Sequence, residues 1–334
     1  MSNKPSISDV AQAANVSIAT VSRVMNNHAI VRKETREKVY KAMSEVGYDY
    51  TPEFPASQEN HNSKIILVLL PNLENPFYSD IINGIHSSAL RQDYICVLHI
   101  LKEQKEYSLP ALTSLIENIN ACGLILLAPI SDPQILEHLS TIIPLVQCTE
   151  FTDSSNLSFV SIDDYSATKN ILEFILSKNK KRIALINGPL QFKYARLRDK
   201  AYRDALSEAG LPIDPSIIIN VSEMDYNYNI SMAMQLLNTD HLPDAIFAAS
   251  DVFAVAAMKA AKRLGLSVPK DIGIVGFDNS FIASMCEPPL TTMNQPKKQM
   301  GFLACETLIS QINNPTAAKK QMLLETELII RESI

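Results

Sequence analysis

No stretch of this chain is apolar for long enough to cross a membrane. The longest run, IILVLLP at 65–71, falls far short of the roughly 20 residues a spanning helix needs. The first residues hold no basic segment followed by an apolar stretch and a small-residue cleavage site. Export is therefore not expected, and the reading is cytoplasmic. Cysteine is scarce and unpatterned: five residues, Cys96, Cys122, Cys148, Cys286 and Cys305. No C-x-x-C and no His/Cys pairing prepares a zinc site, which leaves buried free thiols in a reducing compartment. The histidines (His28, His61, His86, His99, His138, His241) are scattered and read as structural or solvated. There is also no G-x-S-x-G elbow, no Walker loop and no G-x-G-x-x-G. These absences remove the usual signatures of hydrolases and of nucleotide- or metal-dependent enzymes, so no catalytic residue, cofactor or metal is expected.

What is present describes an ordinary folded protein of more than one domain: 334 residues, 46% apolar and 20% charged. The net charge of −6 argues against nucleic acid, but its distribution does not. Positions 1–50 carry seven basic against five acidic side chains, a net of +2, leaving −8 for the remainder. A mildly basic head on an acidic body fits a head that meets phosphate and a body with another task.

The head reads as three helices. Ser6 with Asp9 three residues on forms a capping-box start, and Val10, Ala13 and Ala14 share one face. Asn15 suits a left-handed turn, and Ser17 can cap a second helix from Ile18 to about Met25 with Val21 and Val24 inward. The third helix carries Val39 and Met43 inward and stops at Gly47. Residues 49–64, DYTPEFPASQENHNSK, have linker composition. Beyond them about nine apolar strand-like runs, from IILVLL to IGIVGF, alternate with amphipathic helices. That rhythm predicts an α/β body with doubly wound parallel sheets, in two lobes because the strands exceed what one small sheet holds.

Helix, tight turn and helix is the plan by which a second helix enters the major groove, although a plain capped three-helix domain has the same periodicity. In that plan Ser17, Thr20 and Ser22 can approach phosphates, and Ile18 and Ala19 can meet thymine methyls. Arg23 can pair with guanine, with Asn26 completing the candidate DNA-binding set.

The stretch ISDVAQAANVSIATVSRVMN resembles the headpiece of the lactose/galactose repressor (LacI/GalR) family. The likeness extends through NPFYSDIINGI, DAIFAASDVFAVAAMKAAKRLGLSVPKDIGIVGFDN, PPLTTMNQP and ELIIRESI. It implies a helix-turn-helix headpiece (1–50), a hinge (51–63) and a periplasmic-binding-protein-like body (64–334), acting as a homodimer on operator DNA. The implied N-lobe is 64–162 plus 295–320 and the C-lobe 163–292 plus 321–334. Ile18 and Ala19 fall at the family's variable base-reading positions, and Arg23 at its arginine. Within the family the cytidine-responsive branch is the most similar, on TEF at 149–151 and GFDNSFIASMCEPPLTTMNQP.

The hinge departs from the family pattern. Pro52, Phe54, Pro55, Ala56 and Ser57 stand where a helix with a leucine wedge would lie, and a proline in a helix interior costs about 3 kcal/mol. The expectation is a hinge that does not intercalate, with help on DNA from a second bound regulator.

In the body, the resemblance points to Phe77, Tyr78, Arg198, Ser250, Asp278 and Gln295 as effector contacts in the interlobe cleft. Phe77 and Tyr78 can stack on a base or a sugar face; Arg198 and Asp278 can hold adjacent hydroxyls. Weaker candidates are Asp225 and Tyr226. Arg196 and Arg203 read as surface residues, Asp251 as a helix N-cap, and Asp163 with Asp164 as capping and lobe-to-lobe groups. The leading function is a ligand-responsive repressor with a nucleoside effector such as cytidine, at the bacterial nucleoid. A purine, a pentose or a hexose remains open as effector, as does the sign of its action. The other classes are a transport or sensing binding protein and an α/β hydrolase. The absence of a leucine heptad after ELIIRESI favours a dimer over a tetramer.

Overall fold

The computed structural model describes residues 6–25, 33–46, 48, 63–101, 104–130, 132–153, 156–221, 226–239 and 241–334. The chain forms two compact units, Met1–Asn62 and Ser63–Ile334. The first contains α1 (Ile7–Ala14), α2 (Ile18–Met25) and α3 (Lys33–Val46). Ser6 donates its backbone N–H to Asp9 Oδ2 at 2.7 Å while the Asp9 N–H reaches Ser6 Oγ at 3.4 Å, closing the capping box. Asn15 turns the chain with φ 53° and ψ 47°, and Ser17 Oγ then caps α2 by accepting the Thr20 N–H at 3.1 Å. The core is Val10, Ala11, Ala14, Val21, Val24, Val39, Ala42 and Met43. Ala13, expected inside, is exposed, and Ala11 takes its place because the 7, 10, 11, 14 spacing defines the apolar face. Gly47, Asn26, Asp225 and the hinge at 51–62 lie outside the described residues.

The second unit is built on two six-stranded sheets. The first runs β11-β5-β4-β3-β1-β2, with β1 (Ile65–Leu70), β2 (Ile95–Ile100), β3 (Gly123–Leu126), β4 (Leu145–Cys148), β5 (Ser158–Ile162) and β11 (Gln321–Leu324), all parallel. The second runs β12-β10-β9-β8-β6-β7, with β6 (Ile183–Asn187), β7 (Ile218–Asn220), β8 (Ala245–Ala248), β9 (Gly273–Asp278), β10 (Thr291–Asn294) and β12 (Glu327–Ile329). Only β12 is antiparallel to its neighbour. The central strands are buried along their length, as sheets covered on both faces require. The helices on the first sheet are α4 (Phe77–Leu90), α5 (Leu109–Ile119), α6 (Pro133–Ile142) and α12 (Lys297–Asn313). The second sheet carries α7 (Asp164–Ser177), α8 (Lys193–Glu208), α9 (Tyr226–Leu237), α10 (Asp251–Arg263) and α11 (Phe281–Met285).

The chain passes between lobes three times: from β5 to α7, from β10 to α12, and from β11 to β12. The boundary expected at 320 is therefore corrected. Gln321–Leu324 belongs to the first lobe, in register with Phe159–Ile162, and only the residues after it return to the second. Packing of α12 on α4 depends on two glycines. A Cβ on Gly301 would stand 2.0 Å from the Ile81 carbonyl oxygen, and one on Gly84 would stand 2.1 Å from that of Lys298. All five cysteines are free, with Cys148 and Cys305 buried and Cys96, Cys122 and Cys286 only half-buried. Among the described residues no helix is long and apolar enough to cross a membrane, and no cluster of metal-ligating side chains occurs.

Candidate ligand cleft and nucleic-acid interface

Parallel strands deliver loops at their carboxyl ends, and in both sheets these loops face one cavity of about 580 Å³. Asn72 follows β1, Glu150 follows β4, Asp164 follows β5, Ser250 follows β8, Asp278 ends β9 and Gln295 follows β10. The six expected residues, Phe77, Tyr78, Arg198, Ser250, Asp278 and Gln295, all line this cavity. Asn72 Oδ1 accepts the Asn75 N–H, and Asn75 Oδ1 accepts that of Phe77, both at 3.0 Å. These turns set the start of α4 so that Phe77 and Tyr78 meet edge to face, their centroids 5.3 Å apart. Phe77 also packs into the lobe core, so it is both wall and filler.

Arg198 differs from expectation. Its guanidinium is committed to the protein: Nε and one terminal nitrogen reach Asp164 Oδ1 at 2.9 and 2.7 Å, and the other donates to the Ala249 carbonyl. The Phe277 ring lies 3.5 Å from the guanidinium carbon. Three of five N–H groups are thereby used, leaving two for a ligand. Asp278 is buried, and each of its oxygens already accepts one bond, from Gln295 Nε2 at 2.8 Å and from Ser250 Oγ at 2.9 Å. One lone pair remains on each oxygen, the arrangement that holds two vicinal hydroxyls.

The backbone at Asp278 and Asn279 has φ of 111° and 47°, values that non-glycine residues rarely adopt. It is over-determined from α12 and the tail. Buried Lys297 Nζ donates to both carbonyls, Asn279 Nδ2 to Asn294 Oδ1 at 3.0 Å, and Arg331 to Asn279 Oδ1 at 2.8 Å. Burial raises the Asp278 pKa, with Arg198 opposing. Asp251 is raised as well, by burial and then by the Asp278 charge. Asp164 is pushed up by burial although Arg198 counters it.

Asp251 is not an N-cap. Ser250 occupies that position, and the Asp251 carboxylate instead accepts from Ser280 N at 2.7 Å, Ser280 Oγ at 2.9 Å and Thr292 Oγ1 at 2.6 Å. It fastens β10 and α11 to α10. Asp163 does cap α7, through the Ser166 N–H at 3.0 Å. Asp164 makes its ion pair within its own lobe, so the lobe-to-lobe bond expected of that pair is made elsewhere. Glu150 makes it, accepting the backbone N–H groups of Lys193 and Tyr194 at 3.0 and 2.9 Å. Lys193 Nζ pairs with Asp153 at 2.6 Å and covers the Phe151 ring. Glu150, Tyr194, Phe192 and Gln191 line the cavity and are not among the expected contacts; Glu150 enters the sequence reading only within TEF at 149–151, although, like Asp278, it sits at a strand's carboxyl end. Tyr226 opens α9 and is not in the cavity wall. Arg196 donates to the Leu190 and Gln191 carbonyls and so holds the loop before α8, whereas Arg203 pairs with Asp199 one turn earlier.

In the first unit Ser17, Ile18, Ala19 and Arg23 are exposed, Ile18 at 56%, and Thr20 and Ser22 are half-buried. An isoleucine this exposed at a helix start is an apolar tip without a core role. Ser17 Oγ is also bonded to Thr20 Oγ1 at 2.8 Å, so its first task is capping.

A short helical unit whose second helix keeps an exposed face, followed in the chain by a two-lobed α/β body around a cleft, is the plan of a DNA-binding regulator. Residues 6–52 match the family model for bacterial regulatory proteins of the lacI family, and residues 172–334 that for a periplasmic binding protein-like domain. The HTH-type transcriptional repressor CytR of Escherichia coli (strain K12) is 34% identical over 97% of this chain and 95% of its own length. The ribose operon repressor of Haemophilus influenzae is 32% identical over 98% and 97%. The lac repressor dimer bound to operator and an anti-inducer superposes with a TM-score of 0.71 at 28% identity, covering 99% of both chains. The transcriptional regulator CelR in complex with cellobiose gives 0.74 at 28%, covering 98% of this chain and 99% of that one. The chain belongs to the LacI family: it is a DNA-binding transcriptional repressor and not an enzyme.

Proposed function

We propose that the interlobe cavity holds a nucleoside, cytidine in particular, and that its occupancy sets the affinity of a cytoplasmic homodimer for operator DNA. The observation carrying this reading is the pairing of two chemistries in one cavity. Tyr78 and Phe77 from one lobe and Tyr194 and Phe192 from the other supply flat apolar faces for a base. Asp278, Ser250, Gln295 and Arg198 supply acceptors and donors for ribose hydroxyls. The likeness to the repressor CytR, at 34% identity, agrees with the cytidine-responsive resemblance read from TEF at 149–151 and from GFDNSFIASMCEPPLTTMNQP. Ribose alone is the second reading, supported by the ribose operon repressors at 32%.

On DNA, Ile18, Ala19 and Arg23 are the base-reading residues, Ser17, Thr20 and Ser22 meet the phosphates, and Asn26 belongs to the same DNA-binding set. The homodimer face is read at Leu90, Ile95 and Leu98 of the first lobe and at Phe281 and Met285 of the second, large apolar side chains left exposed. A ligand that favours one lobe arrangement shifts the dimer toward it, and acts only through that difference in affinity.

The test is a thermal-shift panel on the full chain with cytidine, uridine, adenosine, hypoxanthine, ribose and hexoses. A true ligand at a hundredfold excess over its Kd stabilises by about 2.7 kcal/mol. Stabilisation by cytidine is expected. A shift with ribose or a hexose alone replaces the nucleoside reading, and a shift with hypoxanthine alone replaces the pyrimidine.

A further inference from the structure

We infer that Glu150 is a specificity-determining residue, whose carboxylate accepts a hydrogen bond from an exocyclic amine on the base and so selects an aminated heterocycle. The inference rests on the nucleoside reading above and names what that reading leaves open.

Four carboxylates line the cavity; Glu74 is exposed, and of the other three two have polar or charged side-chain partners. Asp164 faces Arg198 at 2.7 and 2.9 Å, and Asp278 is held by Ser250 and Gln295. Glu150 has a different set. Among the described contacts its oxygens each accept one backbone N–H, Oε2 from Lys193 and Oε1 from Tyr194. The neighbouring ammonium of Lys193 is turned away to Asp153 and Phe151. An ionised carboxylate has about four acceptor sites and no donor. Two sites remain on Glu150, on a wall that can be completed only by a donor.

The position of Glu150 fits the base end of the ligand. It comes from the lobe opposite Asp278, and the hydroxyls of Tyr78 and Tyr194 both sense the charges of Glu150 and Asp278. The two carboxylates thus lie within electrostatic reach of the same pair of rings. With ribose hydroxyls at Asp278, the second acceptor is left for the base. The amino group of cytosine offers two N–H donors there. Uracil offers a carbonyl oxygen at the same position, and its one N–H lies between two carbonyls that a carboxylate repels. The carboxylate also stands at the N-terminus of α8, whose own N-cap residue, Phe192, has no side-chain acceptor. Glu150 is therefore fixed in orientation before a ligand arrives, as a selective acceptor must be.

Isothermal titration of the full chain tests this with cytidine, uridine and N4,N4-dimethylcytidine, the last lacking the donor. On the unaltered chain both analogues are expected to bind about a hundredfold more weakly than cytidine, the cost of an unmatched buried acceptor. In Glu150→Gln the amide can turn to donate or accept, so the cytidine-to-uridine ratio is expected to fall to about tenfold or less. Equal binding of cytidine and its dimethyl analogue by the unaltered chain overturns the inference without recourse to any variant. An unchanged ratio in a folded Glu150→Gln chain overturns it too, and both results leave the nucleoside reading in place. Binding of ribose with no binding of either nucleoside overturns both.

Discussion

Replacing Arg198 by alanine and Asp164 by asparagine removes the two halves of one buried ion pair, and the variants are expected to differ in how pH relieves them. The side chains are 5% and 8% exposed and meet through two bonds of 2.7 and 2.9 Å. Removing one partner of such a pair costs about 3–5 kcal/mol at neutral pH, a fall in Tm of about 10 °C for a body of this size. The asymmetry lies in what is left behind. Without Arg198 the Asp164 carboxyl, already raised by burial, loses the charge that opposed the rise. An acid whose folded pKa lies above its unfolded value destabilises when ionised, and that penalty vanishes as pH falls toward the unfolded value. The cost of Arg198→Ala should therefore shrink between about pH 7.5 and about pH 4.5. Asp164→Asn leaves a buried guanidinium that does not deprotonate and removes the raised carboxyl whose own penalty the parent sheds on acidification, so its cost should not shrink but grow slightly over the same range. Urea unfolding of each variant against the parent chain, followed by far-UV circular dichroism at both pH values, makes the comparison. Parallel pH dependences in the two variants, or a cost under about 1 kcal/mol for either at neutral pH, would refute the reasoning.

Two further outcomes can be checked. Burial holds Asp278 above the usual carboxylate range, so hydroxyl binding that needs the ionised form should weaken as pH falls from about 7.5 to about 5. Asp278→Asn should weaken cytidine binding and flatten that profile, read by titration calorimetry. In Gly301→Ala a methyl group would stand 2.0 Å from the Ile81 carbonyl oxygen. Separating α4 from α12 should then cost about 2–3 kcal/mol in urea unfolding, whereas Gly265→Ala, with no atom near its Cβ, should show only the backbone cost of its φ of 75°.

The architecture is legible in the sequence where local signals agree with burial. Continuous apolar strands, Asn15 at a left-handed turn and Asp278 at a strand's carboxyl end each announce their place. Two strands are hidden for physical reasons. TTMN at β10 looks polar, yet Thr291 and Thr292 are buried because their hydroxyls satisfy Arg331 and Asp251. QMLL at β11 has a partner, β5, that lies 162 positions back in the chain at its first register pair, Phe159 with Gln321. No local pattern assigns it to a lobe. Arg198 is recognisable as a cleft residue, but its commitment to Asp164 depends on how α7 packs on α8. Glu150 is the least legible, since its partners are main-chain N–H groups of a helix more than forty residues on. Backbone donors carry no sequence signature.

The three crossings between lobes also govern the order in which the molecule can be made. The first lobe is laid down by Ile162, but its covering helix α12 and edge strand β11 arrive only with Lys297–Leu324. Until those residues leave the ribosome, β5 ends the sheet with an unpaired edge, and the face of α4 that should meet Gly301 is open. The second lobe is nearly finished before the first can close, the reverse of the order of synthesis. A nascent chain therefore passes through a long interval with an exposed strand edge, the condition that invites capture by chaperones or by a neighbouring chain. A lesion near residue 320 should for the same reason unfold the lobe that begins at residue 65, far from it in sequence.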